Sequence, residues 1–191
     1  MAHIHNEPGQ HDLTVSAFII NVSDKENPKI LLCRHKKLGK LLQPGGHVEL
    51  DENPWQAVLR EVTEETGYSP LELQVLQSAP NIVQNPSSNA VYLPNPITVN
   101  YHYYGQEDHI HNDLSFAFVT SEMPKGHPDA GESLDFAWLS LAELRALSSD
   151  DTIKNAQEIS DFVLENFTKW QSVKTDKFDK KRNLADAEVV A

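Results

Sequence analysis

The chain has little that would cross-link it covalently or carry it into a membrane. Its 191 residues include a single cysteine, Cys33, which excludes an internal disulfide and fits a reducing, cytoplasmic setting. No run approaches the roughly 18–20 consecutive apolar residues of a membrane-spanning helix. The stretch from Met1 to Asp12 has neither the basic start nor the apolar segment of a secretory signal. Positive charge is scarce as well: 16 Lys and Arg stand against 28 Asp and Glu, a formal net charge of −12. A broad nucleic-acid-binding face needs clustered cations, so contact with long nucleic acid is not expected. A local anion site stays compatible with this balance if divalent metal supplies the positive charge. The chain does have apolar residues, 39% of the total, enough for one core at a length that favours a single domain.

Leu13, Val15, Ala17 and Ile19 alternate with their neighbours and predict a strand. Ile30 to Cys33 predicts its hairpin partner across a turn at 24–28. Arg34, His35, Lys36, Lys37 and Lys40 then form the densest positive patch. The ordinary reading is a solvated loop; the functional one makes Arg34, Lys36 and Lys37 a substrate-binding grip on an anion. Next comes the clearest helix. Asn53 is a natural N-cap, Pro54 suits the first turn and Gln56 completes a capping box. Trp55, Val58, Leu59 and Val62 make one apolar stripe, and Gly67 ends the helix. Strands are predicted at 71–77, 97–104, 114–120 and 134–139, and helices at 141–147 and 153–167. The Asn-, Ser- and Pro-rich stretch 80–96 is longer than an ordinary connection. The mixture predicts an α+β or mixed-sheet sandwich.

On that early helix Glu61, Glu64 and Glu65 fall on one arc of about 100°, away from the apolar stripe. Three close carboxylates repel one another, and they sit in the half of the helix where the macrodipole disfavours negative charge. A solvated acidic face is the bland explanation. A hard divalent cation is the other, since oxygen-rich sites suit Mg²⁺ or Mn²⁺. The surrounding residues decide between them. Gly46, Glu52, Arg60, Glu61, Val62, Glu64, Glu65 and Gly67 fall in the order Gly, five residues, Glu, seven residues, Arg-Glu-aliphatic-x-Glu-Glu-x-Gly.

This long gapped pattern resembles the Nudix box. Its one departure is Tyr68, where the family prefers an aliphatic residue at a packing position. Pro44-Gly45-Gly46 precedes the box as in many members, and Trp138-Leu139-Ser140-Leu141-Ala142-Glu143-Leu144 resembles the closing strand and helix. The resemblance spans 12–147. It implies an α+β Nudix fold, an αβα sandwich around a mixed sheet, with a domain at 12–170, an N-terminal extension at 1–11 and a flexible tail at 171–191. It implies metal-dependent hydrolysis of a nucleoside diphosphate linked to another moiety, by water attack at phosphorus, with Mg²⁺ as cofactor and Mn²⁺ as substitute. Carried over by position, Glu61, Glu64 and Glu65 are metal ligands, and Gly46 can offer its carbonyl. Glu61 is the foremost candidate to orient or deprotonate the water, with Glu64 beside it in the catalytic set. Glu52 and Arg60 support the loop by a salt bridge. Several members take a further carboxylate from the loop before the closing strand; Glu132 is preferred here over Asp135. Expected partners are a small nucleotide substrate and, as in many members, a second copy of the chain.

Three other functions were weighed. A non-catalytic nucleotide-binding module would typically have a broken box. An isopentenyl-diphosphate isomerase needs a positioned cysteine, and Cys33 lies outside the expected pattern. For hydrolysis at an RNA 5′ end the acidic charge disfavours long RNA contacts, though Arg34 to Lys40 could hold a short end. Marks of NADH, coenzyme A, ADP-ribose and diadenosine-polyphosphate subgroups are missing, so substrate identity stays open. His109-x-His111-x-Asp113 alternates as a metal-binding strand does, but with no further ligand fixed it reads as a polar turn or surface strand. His47 could touch a phosphate, though it stands at a variable position of the box. Tyr92, Tyr101, Tyr103 and Tyr104 read as packing, with one or two available to stack on a base.

Overall fold

The computed structural model describes residues 9–83, 90–103 and 109–178. Residues 1–8 of the expected extension, 84–89 of the long connection, Tyr104 and 179–191 of the expected tail lie outside the described residues.

Strand β1 (His11–Asn21) is the spine of a mixed sheet. It is buried on both faces: Val15, Ala17 and Ile19 enter one core, while Phe18 and Ile20 enter the other. It pairs antiparallel with β2 (Lys29–Arg34) across the predicted hairpin. A third strand, β3 (Leu41–Leu42), lies on β2, and β4 (Gly45–His47) runs antiparallel to the first half of β1. Beyond the first helix come β5 (Gln74–Gln77), β6 (Thr98–Tyr103), β7 (Ile110–Thr120), β8 (Phe136–Leu139) and β9 (Gln171–Lys174). Strand β7 is parallel to β1 along its whole length, from His11 opposite Ile110 to Asn21 opposite Thr120, and this pair makes the sheet mixed. The main order is β3-β2-β1-β7-β5-β9, with β4 on β1, β6 on β7 and β8 on β2.

Helix α1 (Pro54–Thr66) covers one face through Trp55, Val58 and Val62. Trp55 is almost wholly buried, stacks on Phe118 at 5.9 Å and meets Phe116 and Phe178 edge-on, each at 5.8 Å. Truncating such an anchor typically costs about 3–5 kcal/mol. Helices α2 (Leu141–Ala146) and α3 (Lys154–Asn166) contribute Leu144, Val163 and Leu164 to the opposite core. The result is the expected α+β sandwich. Among the described residues no helix is long and apolar enough to cross a membrane.

The strand expected at 71–77 begins only at Gln74, after a 3-10 turn at Pro70–Glu72, and the short strand Leu41–Leu42 was not expected; three further differences concern β4, β7 and β9. Gln43 to Gly46 was expected as a break, yet Gly45 and Gly46 already pair with Ser16 and Val15 in β4. A segment this short has no periodicity of its own, and its pairing comes from β1. The His-rich segment before 114 was expected as a turn or surface strand, but β7 starts at Ile110 and its His111 and Asp113 are buried. The stretch from Gln171 was expected to fray, but Gln171–Lys174 pairs with β5. It is a polar edge strand with Val173 packed against the core, so its hydrophobic signal is a single residue.

Candidate active site

The box begins on β4 and ends at the C-terminus of α1. Asn53 Oδ1 accepts from the backbone N–H groups of Trp55 and Gln56, and the Gln56 side chain accepts from the Asn53 N–H, closing the expected capping box. At the far end Gly67 adopts φ 76°, and its N–H donates to Thr63 O at 3.0 Å. A side chain there would also meet the backbone of Gly126 and His127 at 2.7 Å. Both ends of the helix are therefore fixed by the residues that predicted them. The apolar stripe turns inward, and its rotation sets where the acidic arc lies.

Arg60 is the hub of that arc. Its guanidinium donates to Glu52 Oε1 at 2.7 Å, Glu61 Oε1 at 2.8 Å, Glu64 Oε2 at 3.1 Å and the carbonyl of His47 at 3.0 Å. Glu61 is buried, with 1% of its surface exposed, while Glu64 and Glu65 are half-buried. Glu65 accepts from the Gly45 N–H at 3.1 Å, which ties the helix to β4. Only glycine allows β4 to approach so closely, because a Cβ on Gly45 would lie 2.2 Å from the carbonyl of Val15. Gly46 follows directly, opposite Val15.

The electrostatics follow from this crowding. Burial pushes the Glu61 carboxyl up to about 7 against the pull of Arg60. Burial also pushes Glu65 up to about 8, reinforced by the charges of Glu61, Glu132 and Glu64 and opposed by the Gly45 N–H. Glu52 moves the other way: burial raises it, but the hydrogen bonds from Arg60 and the Glu49 N–H outweigh that and hold it below the usual range. One guanidinium shared among Glu52, Glu61 and Glu64 leaves negative charge uncompensated. The donors are oxygens only, which fits a hard divalent cation such as Mg²⁺ or Mn²⁺.

The family model for the NUDIX domain matches residues 11–162. The chain belongs to the Nudix hydrolase family. No curated protein sequence matches it. A solved Nudix-family hydrolase from Clostridium perfringens is 26% identical, with a TM-score of 0.63 over 82% of this chain and 97% of that one. The NUDIX domain of Shewanella oneidensis NrtR, solved with ADP ribose, is 19% identical with a TM-score of 0.52, covering 82% of this chain and 88% of that one. An Ap4A hydrolase from C. elegans is 15% identical with a TM-score of 0.54, covering 84% and 98%. The last two likenesses speak for the fold.

Outside the Nudix box, Glu132 lies on an exposed loop docked to the end of α1. Asp129 N–H donates to Glu64 O at 2.7 Å, and Glu132 N–H donates to Asp129 O at 2.9 Å. The Glu132 charge is felt by Glu65, Cys33 and His35, which puts it at the rim of the acidic cluster. Asp135 is otherwise engaged, with Arg34 Nε at 2.6 Å. Arg34 also donates to Gly39 O at 2.7 Å, so it braces the loop, and Lys36 and Lys37 stand exposed. Burial, Glu65 and Glu132 hold the Cys33 thiol far above its usual range, the reverse of a reactive cysteine.

Tyr68 is a packing residue in this Nudix chain: its ring is fully buried and its hydroxyl donates to Glu122 O at 2.7 Å. Tyr101 and Tyr103 are not packed; they are 67% and 65% exposed on the outer side of β6. Asp12 had no part in the sequence reading. It is buried beside His47, at 3.2 Å, and His109, at 3.1 Å. The ring of His47 is buried on the sheet, with Nε2 beside the Asp12 carboxylate. The only signal for Asp12 was a polar residue opening an otherwise apolar strand.

Proposed function

We propose that the chain hydrolyses the pyrophosphate linkage of a nucleoside diphosphate joined to another moiety, with water attacking phosphorus. One observation carries this reading: three box carboxylates, Glu52, Glu61 and Glu64, share the single guanidinium of Arg60, and burial, with neighbouring charge, raises Glu61 and the adjacent Glu65 to about 7 and about 8. Glu61, Glu64, Glu65 and the Gly46 carbonyl would hold Mg²⁺, or Mn²⁺ in its place. Bound there, the cation would neutralise the diphosphate and polarise its phosphorus.

The protein's own residues divide the remaining work. Glu61, the most buried of the box carboxylates, would orient the water or take its proton. Arg60 and Glu52 hold the box loop against α1 and keep Glu61 and Glu64 aligned. Glu132, on the rim loop, is a further carboxylate for the water or the cation. Lys36 and Lys37 supply exposed positive charge on the β2–β3 loop for the anionic substrate, and Arg34 shapes that loop.

A panel of nucleoside diphosphate derivatives, each incubated with Mg²⁺ or Mn²⁺, tests the reading against the wild type, Glu64→Gln and Glu65→Gln. Metal-dependent release of phosphate or nucleotide by the wild type, reduced at least about 100-fold in both variants, is expected. Tight binding of these ligands without any product would identify a binding module.

A further inference from the structure

The structure holds a second cluster of ligating side chains, on the sheet face turned away from α1. On β1, Val15, Ala17 and Ile19 face α1, so Asp12, Thr14 and Ser16 share the other face with Phe18 and Ile20. The same alternation on β7 puts His111, Asp113 and Ser115 on that face with Ala117. The register places Asp12 opposite His111, and His47 of β4 opposite Thr14. His109 joins them from just before β7.

We propose that Asp12, His47, His109 and His111 form a binding site for a zinc-class divalent cation, distinct from the carboxylates of the Nudix box although His47 lies within the box sequence. Each of the four side chains is buried and can offer one ligand atom, and these atoms all lie within 4.8 Å of one another. Asp12 Oδ2 is already 3.2 Å from His47 Nε2 and 3.1 Å from His109 Nε2. A tetrahedral zinc ion with bonds of about 2.0–2.2 Å spaces its ligand atoms about 3.3–3.5 Å apart, so small side-chain adjustments would complete the site. Three imidazoles and one carboxylate suit Zn²⁺ and its analogue Co²⁺. Mg²⁺, which prefers oxygen donors and six-fold coordination, is excluded by the same chemistry.

A neighbouring carboxylate shows how this face satisfies an acid with protein groups alone. Asp113 accepts from Thr14 Oγ1 at 3.1 Å, Ser16 Oγ at 2.9 Å and Ser115 Oγ at 2.7 Å. Asp12, two residues along the same face, has imidazoles where Asp113 has hydroxyls. The rings of His109 and His111 stand edge to face at 5.2 Å, and those of His47 and His111 at 5.0 Å. Asp113, which the alternate spacing suggested as a third ligand with His109 and His111, is therefore hydroxyl-bound, and Asp12 takes its place. An ion here would clamp β1, β4 and the start of β7 together. Through His47 it would brace β4 at the residue immediately after Gly46, inside the box loop, without touching substrate.

The test uses the full chain, stripped with chelator and titrated with Co²⁺ in excess Mg²⁺. The expected result is one equivalent of Co²⁺ with the intense visible absorption of tetrahedral nitrogen and oxygen ligation, displaced by Zn²⁺ and insensitive to Mg²⁺. Zn²⁺ at about 100 times its dissociation constant should raise the thermal midpoint by roughly 5–10 °C. His109→Gln and Asp12→Asn should lose the band while keeping their circular dichroism, and Glu64→Gln/Glu65→Gln should retain it. A wild-type protein that shows no tetrahedral band overturns the site and leaves a hydrogen-bonded His–Asp network; this readout does not depend on any variant folding. A band lost in the Glu64→Gln/Glu65→Gln protein would assign the ion to the box.

Discussion

The carboxylate of Glu65 receives the backbone N–H of Gly45 at 3.1 Å, linking the last turn of α1 to the strand that opens the Nudix box. That single bond joins the two ends of a motif that are twenty residues apart in sequence. That bond favours the ionised form of Glu65 against the burial and neighbouring charges that raise it, and the proposed site is expected to show a linked response to pH and to metal.

The first prediction concerns that response. Glu61 and Glu65 are raised to about 7 and about 8 in the folded protein, from an ordinary glutamate value of 4.5. The folded state therefore binds more protons than the unfolded state between those limits. Without metal, stability should be greatest near and below pH 4.5 as far as these two groups are concerned, and should fall as pH rises through 7 to 8. Cations need the ionised carboxylates, so Mg²⁺ should stabilise the protein most above pH 8, where both groups have lost their protons. Melting curves in chelator and in Mg²⁺, taken on both sides of that window, check the sign. A magnesium effect that is larger in acid contradicts it.

Gly67→Ala should destabilise the domain by about 1–3 kcal/mol, since it forces a Cβ into left-handed backbone. The neighbouring Gly126 and His127 backbone, at 2.7 Å from that Cβ, pushes the loss toward the upper end. Because this loop carries Glu132, activity should fall along with stability. Urea denaturation and turnover measured on the same preparation check both.

Tyr68→Phe should behave differently. It removes one hydrogen bond to Glu122 O and leaves the buried ring in place. A loss of about 1 kcal/mol is expected, because Asn21 Nδ2 still donates to that carbonyl at 3.2 Å, with turnover unchanged. A large fall in turnover at unchanged stability would give the residue a catalytic role.

Glu132→Gln should lower kcat more than it raises KM, because the residue lies at the rim of the acidic cluster while the proposed grip on substrate charge is assigned to Lys36 and Lys37. Turnover within about twofold of wild type removes Glu132 from the mechanism.

The sequence made α1 and the box legible almost residue by residue. Asn53, Gln56 and Gly67 are local signals whose partners lie within four residues, so spacing alone reveals them. The Arg60 hub was legible in part: its pairing with Glu52 was expected, whereas its hold on Glu61, Glu64 and the His47 carbonyl was not. Long-range relationships were hidden. The parallel pairing of β1 with β7 brings Asp12 to His111 across about a hundred residues, and no local pattern encodes it. For the same reason β4 and β9 were missed: glycine and polar side chains are poor strand formers, and both strands exist because β1 and β5 offer them an edge. The ion pair of Arg34 with Asp135, about a hundred residues away, was likewise hidden, because charge alone names no partner.

The account rests on cations held by Glu61, Glu64 and Glu65 against a diphosphate. Anomalous scattering from crystals grown with Mn²⁺ and a non-hydrolysable nucleoside diphosphate derivative tests this most directly. The expected result is an anomalous peak bracketed by those three carboxylates and the ligand's phosphate oxygens. Phosphates bound elsewhere on the domain, with no manganese at the three glutamates, would contradict it.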